Sequence, residues 1–195
     1  MLAPISPDTD HGLAPACSLQ VILLTYLSSP LADDIFNAAA CLAQRRPGVQ
    51  IVVAWGGEPG ARQDRWQKDV THWQQLGADV VLIAHLCPLE RVRQALALSK
   101  EWVLPLADDD PIATNYLRAI ADATAQATPA ITGVIASNHV RNCDGQTLST
   151  RQQGWMQADG LARLANMLSE PGCQGTLFWA AYRHSVLTEW LDFAI

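Results

Sequence analysis

Three successive carboxylates, Asp108, Asp109 and Asp110, follow a short apolar segment at residues 102–106, with Ala107 between. Like charges side by side repel one another, so a fold tolerates such a cluster mainly where water or a cation neutralises it. The carboxyl end of a strand is also where open α/β sheets bind ligands. The cluster is therefore the first candidate for chemistry. The alternative is a solvated turn in which an aspartate caps a helix beginning at Pro111.

The segments before the cluster alternate between strand and helix patterns. Continuous apolar runs of strand length lie at 21–26, 50–55, 79–84 and 102–106. Between them, apolar residues recur at helical spacing over 31–46, over 61–76 and from residue 88 onward. Unbroken apolar strands are typical of a parallel sheet buried on both faces. The alternation therefore predicts an α/β fold with helices covering a mostly parallel sheet.

The second half of the chain has a less regular pattern. It predicts a helix at 111–127, a strand at 131–140, a hairpin-type turn at 143–146, irregular chain at 147–156, and then a helix at 159–168, a strand at 176–181 and a helix at 185–193. The proline-rich start reads as a loose arm at 1–18 and the remainder as one domain at 19–195. Trp66 and Trp73 share the face of one predicted helix, and a core role is favoured over a sugar platform.

Composition narrows the classes of function. Of the 195 residues, 49% are hydrophobic and 16% charged, which indicates a globular protein. The net charge of -6 argues against a free-standing nucleic-acid binder. No apolar run reaches the length of a bilayer span, so any membrane contact is expected to be peripheral. The five cysteines and the histidines show no metal-ligand spacing, which indicates reduced thiols in a cytoplasmic protein.

Residues 91–117 carry a more specific pattern. Arg91 and Arg93 lie near the start of a predicted helix, Trp102 opens an apolar strand, and the aspartate cluster and a helix with a tyrosine-leucine pair at 116–117 follow. In order and spacing this segment resembles the central motif of the family 2 glycosyltransferases, which have the GT-A fold. Segments 24–30, 143–145 and 175–187 look like the family's first-strand signature, its Asp-Gly hairpin and its basic closing turn. The resemblance implies a GT-A, Rossmann-like α/β sandwich over residues 19–193.

The resemblance also implies an activity. The chain would move a sugar from a nucleotide-diphosphate donor to a glycan or lipid-linked hydroxyl acceptor, working in the cytoplasm or at the inner membrane face. Asp108 and Asp110 are implied to hold Mn²⁺ or Mg²⁺, which would neutralise the departing diphosphate. The residues implied to bind the nucleotide sugar are Thr25, Tyr26, Ser28, Trp55, Glu58, Arg91, Arg93, Asp108, Asp109 and Arg183.

Several readings stay open at this point. The nucleotide base would be contacted either by Glu58 or by stacking on Trp55. Arg91, Arg93 and Arg183 are alternatively plain surface charges. Inverting members of the family carry a catalytic carboxylate after the last donor-site strand. Its usual motif is absent here, which leaves Asp192 and Asp159 as the catalytic candidates. A truncated or degenerate domain that binds nucleotide or sugar without efficient transfer is the main alternative. A nucleotidyltransferase is disfavoured because the loop at 56–58 is poorly suited to cradling a triphosphate.

Overall fold

The computed structural model describes residues 18–25, 30–108, 112, 115–135, 138–141, 147–151 and 180–193. The predicted turn at 143–146 and the predicted helix at 159–168 lie outside the described residues.

The first half of the chain forms regular strand-helix units, as predicted. Its elements are β1 (Leu19–Thr25), α1 (Pro30–Arg45), β2 (Val49–Trp55), α2 (Ala61–Gln75), β3 (Asp79–Ala84), α3 (Pro88–Leu96) and β4 (Trp102–Ala107). The second half contributes α4 (Tyr116–Gln126), β5 (Gly133–Ile135), β6 (Asn138–Arg141), β7 (Thr147–Arg151), β8 (Ala180–Arg183) and α5 (His184–Phe193).

Six strands form one sheet in the order β3-β2-β1-β4-β8-β5. Strands β1 to β4 run parallel, and β8 runs antiparallel to both of its neighbours. The chain steps outward from β1 to β3 and then returns to place β4 on the other side of β1. This reversal is a topological switch point, where open α/β sheets form a crevice at the carboxyl ends of their strands. The predicted mostly parallel α/β sheet is confirmed.

Helices cover the sheet on both faces. Side chains of α1, α2 and α4 share one core cluster with alternate residues of the strands, and α3 with Leu187 of α5 packs on the other face. Trp66 is 2% exposed and meets the ring of Phe36 edge-on, with 5.2 Å between ring centroids. The predicted core role of Trp66 is therefore confirmed, and Trp73 packs half-buried against the same cluster.

Pairing between β4 and β8 is short, and Pro105 explains where it ends. Among the residues that the structure describes, only Trp102 and Val103 of β4 pair with β8. The Trp102 N–H donates to the Ser18 carbonyl on the β1 side, so strand alternation turns the nitrogen of Pro105 towards β8. Proline has no N–H to donate at that position. The carboxyl half of β4 is therefore hydrogen-bonded to β1 alone among the described strands.

Two predictions for the second half are corrected. Residues 147–151 are not irregular but form β7, which pairs antiparallel with β6, and the register of the pair shifts between Val140 and Arg141 of β6. Threonines at 147 and 150 suit a strand, and the β6 partner supplies the hydrogen bonds that the pattern alone did not reveal. Helix α4 begins at Tyr116 and not at Pro111. Within the described helices, none combines the length and the apolar character that crossing a bilayer requires.

Candidate functional site

The switch point brings Thr25 and Asp108 together. The register pairs Leu24 of β1 with Ala107 of β4, so the next residue of each strand lies at the carboxyl edge of the sheet. The Thr25 hydroxyl donates a 2.7 Å hydrogen bond to Oδ2 of Asp108. Thr25 is fully buried and Asp108 is 7% exposed. The first carboxylate of the cluster is thus held at the place where this fold class binds ligands.

The loop after β2 lies beside this pair. The Gly56 N–H donates to the Thr25 carbonyl at 2.9 Å, which ties the loop to β1. Trp55 is only 5% exposed, and its indole lies against Gly57: a Cβ there would be 2.6 Å from Cη2 and 2.8 Å from Cε2 of the ring. The buried ring offers little surface for stacking. Glu58 is exposed and is the more accessible of the two residues considered for the base contact.

Arg91 contacts the loops that follow β2 and β3. It is 2% exposed, and its Nη1 donates to the carbonyl of His85 at 2.6 Å and to that of Leu86 at 3.3 Å. Its guanidinium also packs against Gly56, where a Cβ would lie 2.5 Å from Cζ. The alternative of a solvated helix charge is therefore wrong for Arg91. Arg93, two residues further along α3, is exposed.

The structure does not bring Arg183 to this edge. Arg183 of β8 is opposite Trp102, the first residue of β4. Asp108 is six residue steps along the chain from Trp102, a distance of about 20 Å at the usual rise per residue. The Arg183 guanidinium stacks 4.3 Å over the Trp102 ring, donates to the carbonyls of Ile131 and Thr128 at 3.0 and 2.9 Å, and forms an ion pair with Glu101. These contacts tie β8 to β4 and to the segment before β5.

Tyr116 opens the helix that follows the aspartate cluster. Burial, with a smaller contribution from neighbouring Tyr182, raises the pKa of its phenol well above the ordinary value. The group therefore stays neutral over the whole physiological range and beyond it. Tyr116 packs against the core cluster on the α4 side of the sheet.

The structure does not describe the side chains of the remaining predicted site residues. Tyr26, Ser28, Asp109, Asp110 and Asp159 lie outside the described residues, and Asp192 lies on α5 with its side chain outside the description. Among the histidine, cysteine and acidic side chains that are described, no group of three converges as a metal site. Asp108, the described carboxylate of the cluster, is compatible with a Mg²⁺ or Mn²⁺ site. In nucleotide enzymes such ions are held by one or two carboxylates together with phosphates and water.

Sequence reasoning missed the contacts that organise this edge. The hydrogen bond between Thr25 and Asp108 follows from the strand order, since both residues end parallel neighbours, but the order itself is not visible in the pattern. The burial of Arg91 against Gly56 had one available signal, the paired glycines at 56 and 57 immediately after a strand. Such a pair permits close approach of another group to the backbone.

Comparison with known proteins identifies the fold. No family model matches the sequence, and no curated protein matches it. The solved structures that are similar include mannosyltransferase PcManGT from Pyrobaculum calidifontis in complex with GDP-Man and Mn²⁺ (TM-score 0.51, 16% identity, 93% of this chain), mannosyl-3-phosphoglycerate synthase from Rubrobacter xylanophilus (0.50, 16%, 87%), and M. tuberculosis glucosyl-3-phosphoglycerate synthase (0.53, 14%, 90%). The match covers 50%, 54% and 61% of those chains, so this chain spans little more than half their length.

Proposed function

We propose, from its GT-A glycosyltransferase fold, that the protein transfers a sugar from a nucleoside-diphosphate donor to a hydroxyl acceptor. One observation carries the proposal: Asp108 lies at the switch-point crevice and accepts a hydrogen bond from the Thr25 hydroxyl. The similar mannosyltransferase is described in complex with GDP-Man and Mn²⁺, a nucleotide sugar and a divalent cation.

Individual residues of the chain would have the following roles. Thr25 holds Oδ2 of Asp108 and so limits rotation of the carboxylate. Asp108, with Asp110 as the second proposed ligand, would hold Mg²⁺ or Mn²⁺. When bound, such a cation neutralises the negative charge that the leaving diphosphate gathers. Glu58 is proposed to contact the base from the exposed loop after β2.

The acceptor side of the proposal rests on the sequence resemblance. A glycan or lipid-linked hydroxyl is proposed as acceptor, and a lipid-linked one would bring the protein to the inner face of the membrane. Inverting transfer needs a general base within hydrogen-bond reach of that hydroxyl. Asp192 and Asp159 are the proposed candidates for this base.

Calorimetric titration of UDP, GDP and their sugars, with and without Mn²⁺, tests the proposal. The wild-type protein is expected to bind one nucleotide, and more tightly with Mn²⁺. Asp108→Asn should weaken the metal-dependent binding by about tenfold to a hundredfold, the loss expected for one charged contact. Asp69→Asn is the matched control because Asp69 lies half-buried on α2, away from the sheet edge, and its ion pair among the described residues is the i,i+4 pair with Arg65.

The outcomes are distinct. Metal-dependent binding that Asp108→Asn weakens and Asp69→Asn leaves intact places the donor at the switch point. Binding of no nucleotide by the wild-type protein contradicts the proposal. Release of free nucleotide from the bound sugar donor in the presence of an acceptor then separates a transferase from a protein that binds the donor without transferring it.

A further inference from the structure

We propose that Arg91 is a positioning residue for the donor nucleotide. Resting on the proposed function, the inference is that Arg91 holds two exit loops, residues 56–60 after β2 and 85–87 after β3, in the conformation that receives the nucleotide. In this role Arg91 does not touch the donor itself. The resemblance to the glycosyltransferases implied instead that Arg91 binds the nucleotide sugar directly.

The burial and the hydrogen bonds of Arg91 support a positioning role. Only 2% of the residue is exposed, so its guanidinium is covered by protein. The same nitrogen, Nη1, donates to the carbonyls of His85 and Leu86 in the loop after β3. A guanidinium supplies several donors in a fixed plane, and here one of its nitrogens reaches two successive carbonyls of the loop. The loop after β3 is thereby attached to α3.

The contact with Gly56 extends the same arrangement to the loop after β2. A Cβ at residue 56 would overlap Nη1 of Arg91 and lie 2.5 Å from Cζ and 2.7 Å from Nη2. The guanidinium therefore occupies the space that any other residue at position 56 would need for its side chain. Both exit loops contact this one side chain, so its removal would weaken the support of both.

A continuous series of contacts links Arg91 to the proposed metal ligand. The guanidinium packs on Gly56, the Gly56 N–H donates to the Thr25 carbonyl, and the Thr25 hydroxyl donates to Asp108. The His85 N–H similarly donates to the carbonyl of Trp55 at 3.1 Å, which joins the two loops to each other. Energetic coupling between distant groups is carried by packed side chains and hydrogen bonds of this kind.

Nucleotide titration of Arg91 variants tests the inference. Arg91→Met keeps most of the apolar stem but removes the donors, and its nucleotide affinity should fall about tenfold if the loops are competent for about a tenth of the time. Arg91→Lys should recover only part of the loss, because an ammonium group cannot reproduce the planar contact with Gly56. Arg45→Met is the matched control, since Arg45 is exposed at the end of α1 and loses the same charge.

Hydrogen exchange of the folded variants provides a second readout that direct contact with the nucleotide would not change. In the nucleotide-free protein, Arg91→Met should speed exchange of the Gly56 and His85 amides, which bond to Thr25 and Trp55. Amides in the middle of β1 should exchange as in the wild type.

Each result decides the inference. Weaker binding together with faster exchange confined to the two loops supports it. Unchanged affinity in Arg91→Met, unchanged loop exchange, or full recovery by Arg91→Lys overturns it, the last because charge alone would then suffice. If the wild-type protein binds no nucleotide, the proposed function fails and the positioning role fails with it. That case is recognised from the wild type before any variant is compared.

Discussion

A single methyl group at residue 56 should destabilise the protein because of Arg91. In Gly56→Ala the new Cβ would overlap Nη1 of Arg91, and the buried guanidinium has to move away from the His85 and Leu86 carbonyls. Each hydrogen bond to a charged group contributes about 1.5–3 kcal/mol. Partial relaxation should preserve one of the two, so the free energy of unfolding is expected to fall by about 1.5–3 kcal/mol.

A double-mutant cycle identifies the cause of that loss. With Arg91→Met already present, the guanidinium is gone and Gly56→Ala should cost at most about 0.5 kcal/mol, which leaves a coupling energy of about 1–2.5 kcal/mol. Urea denaturation at equilibrium measures all four proteins. For a chain of this size a loss of about 1.5–3 kcal/mol also lowers Tm by about 3–12 °C, which provides an independent check.

Gly133→Ala is the matched control for the cycle. A Cβ at residue 133 would lie 3.5 Å from Cδ1 of Tyr182, an ordinary van der Waals contact. Its effect should stay within about 0.5 kcal/mol, as for most substitutions that meet no clash. If Gly56→Ala costs the same with and without Arg91, the reasoning is refuted, because the added methyl group would then be meeting something other than the guanidinium.

Two further predictions concern residues outside the loops. Burial holds the pKa of Tyr116 above its ordinary value, so above about pH 10 the unfolded state loses this proton while the folded state keeps it, and stability falls by about 1.4 kcal/mol per pH unit. Urea denaturation across the alkaline range should show that Tyr116→Phe removes this part of the slope, and an equally steep slope would contradict the assignment. Arg183→Met removes donors to two backbone carbonyls and the stacking on Trp102, and should lower the free energy of unfolding by about 2–4 kcal/mol. The exposed Arg118→Met should change it by less than about 0.5 kcal/mol, and equal effects of the two variants would refute a structural role for Arg183.

The parallel half of the fold was predictable because its strands are buried on both faces. Strand β2, for example, is buried along its whole length at residues 49–55, and such a strand has to be apolar at nearly every position. That requirement is visible in the residue types of the segment alone. Strand β7 was not predictable in the same way, because its polar sequence becomes a strand through pairing with β6. A pattern of single residues does not contain the partner.

In the candidate site, too, one part follows from the local sequence and another depends on which strands pair. Asp108 could be found because a carboxylate after a buried strand is a local feature of the sequence. The positions of Arg91 and Arg183 could not, because each depends on which strands are neighbours. The place of β8 beside the start of β4 sets Arg183 about 20 Å from the carboxyl edge. The order of β1, β2 and β3 brings Gly56 and His85 to the same guanidinium.

The position of β8 in the sheet also affects how the chain folds while it is being synthesised. β8 lies between β4 and β5 in the sheet although it follows both in sequence, and its contact between Arg183 and Glu101 spans 82 positions. Pairings of such long range form late in folding. A ribosome therefore releases β4 with one edge unpaired well before the strand that will cover it. Unpaired edges invite foreign strands, and proline is one of the residues that discourage them. Pro105 lacks an N–H on that side, so the unpaired edge offers a foreign strand one donor fewer.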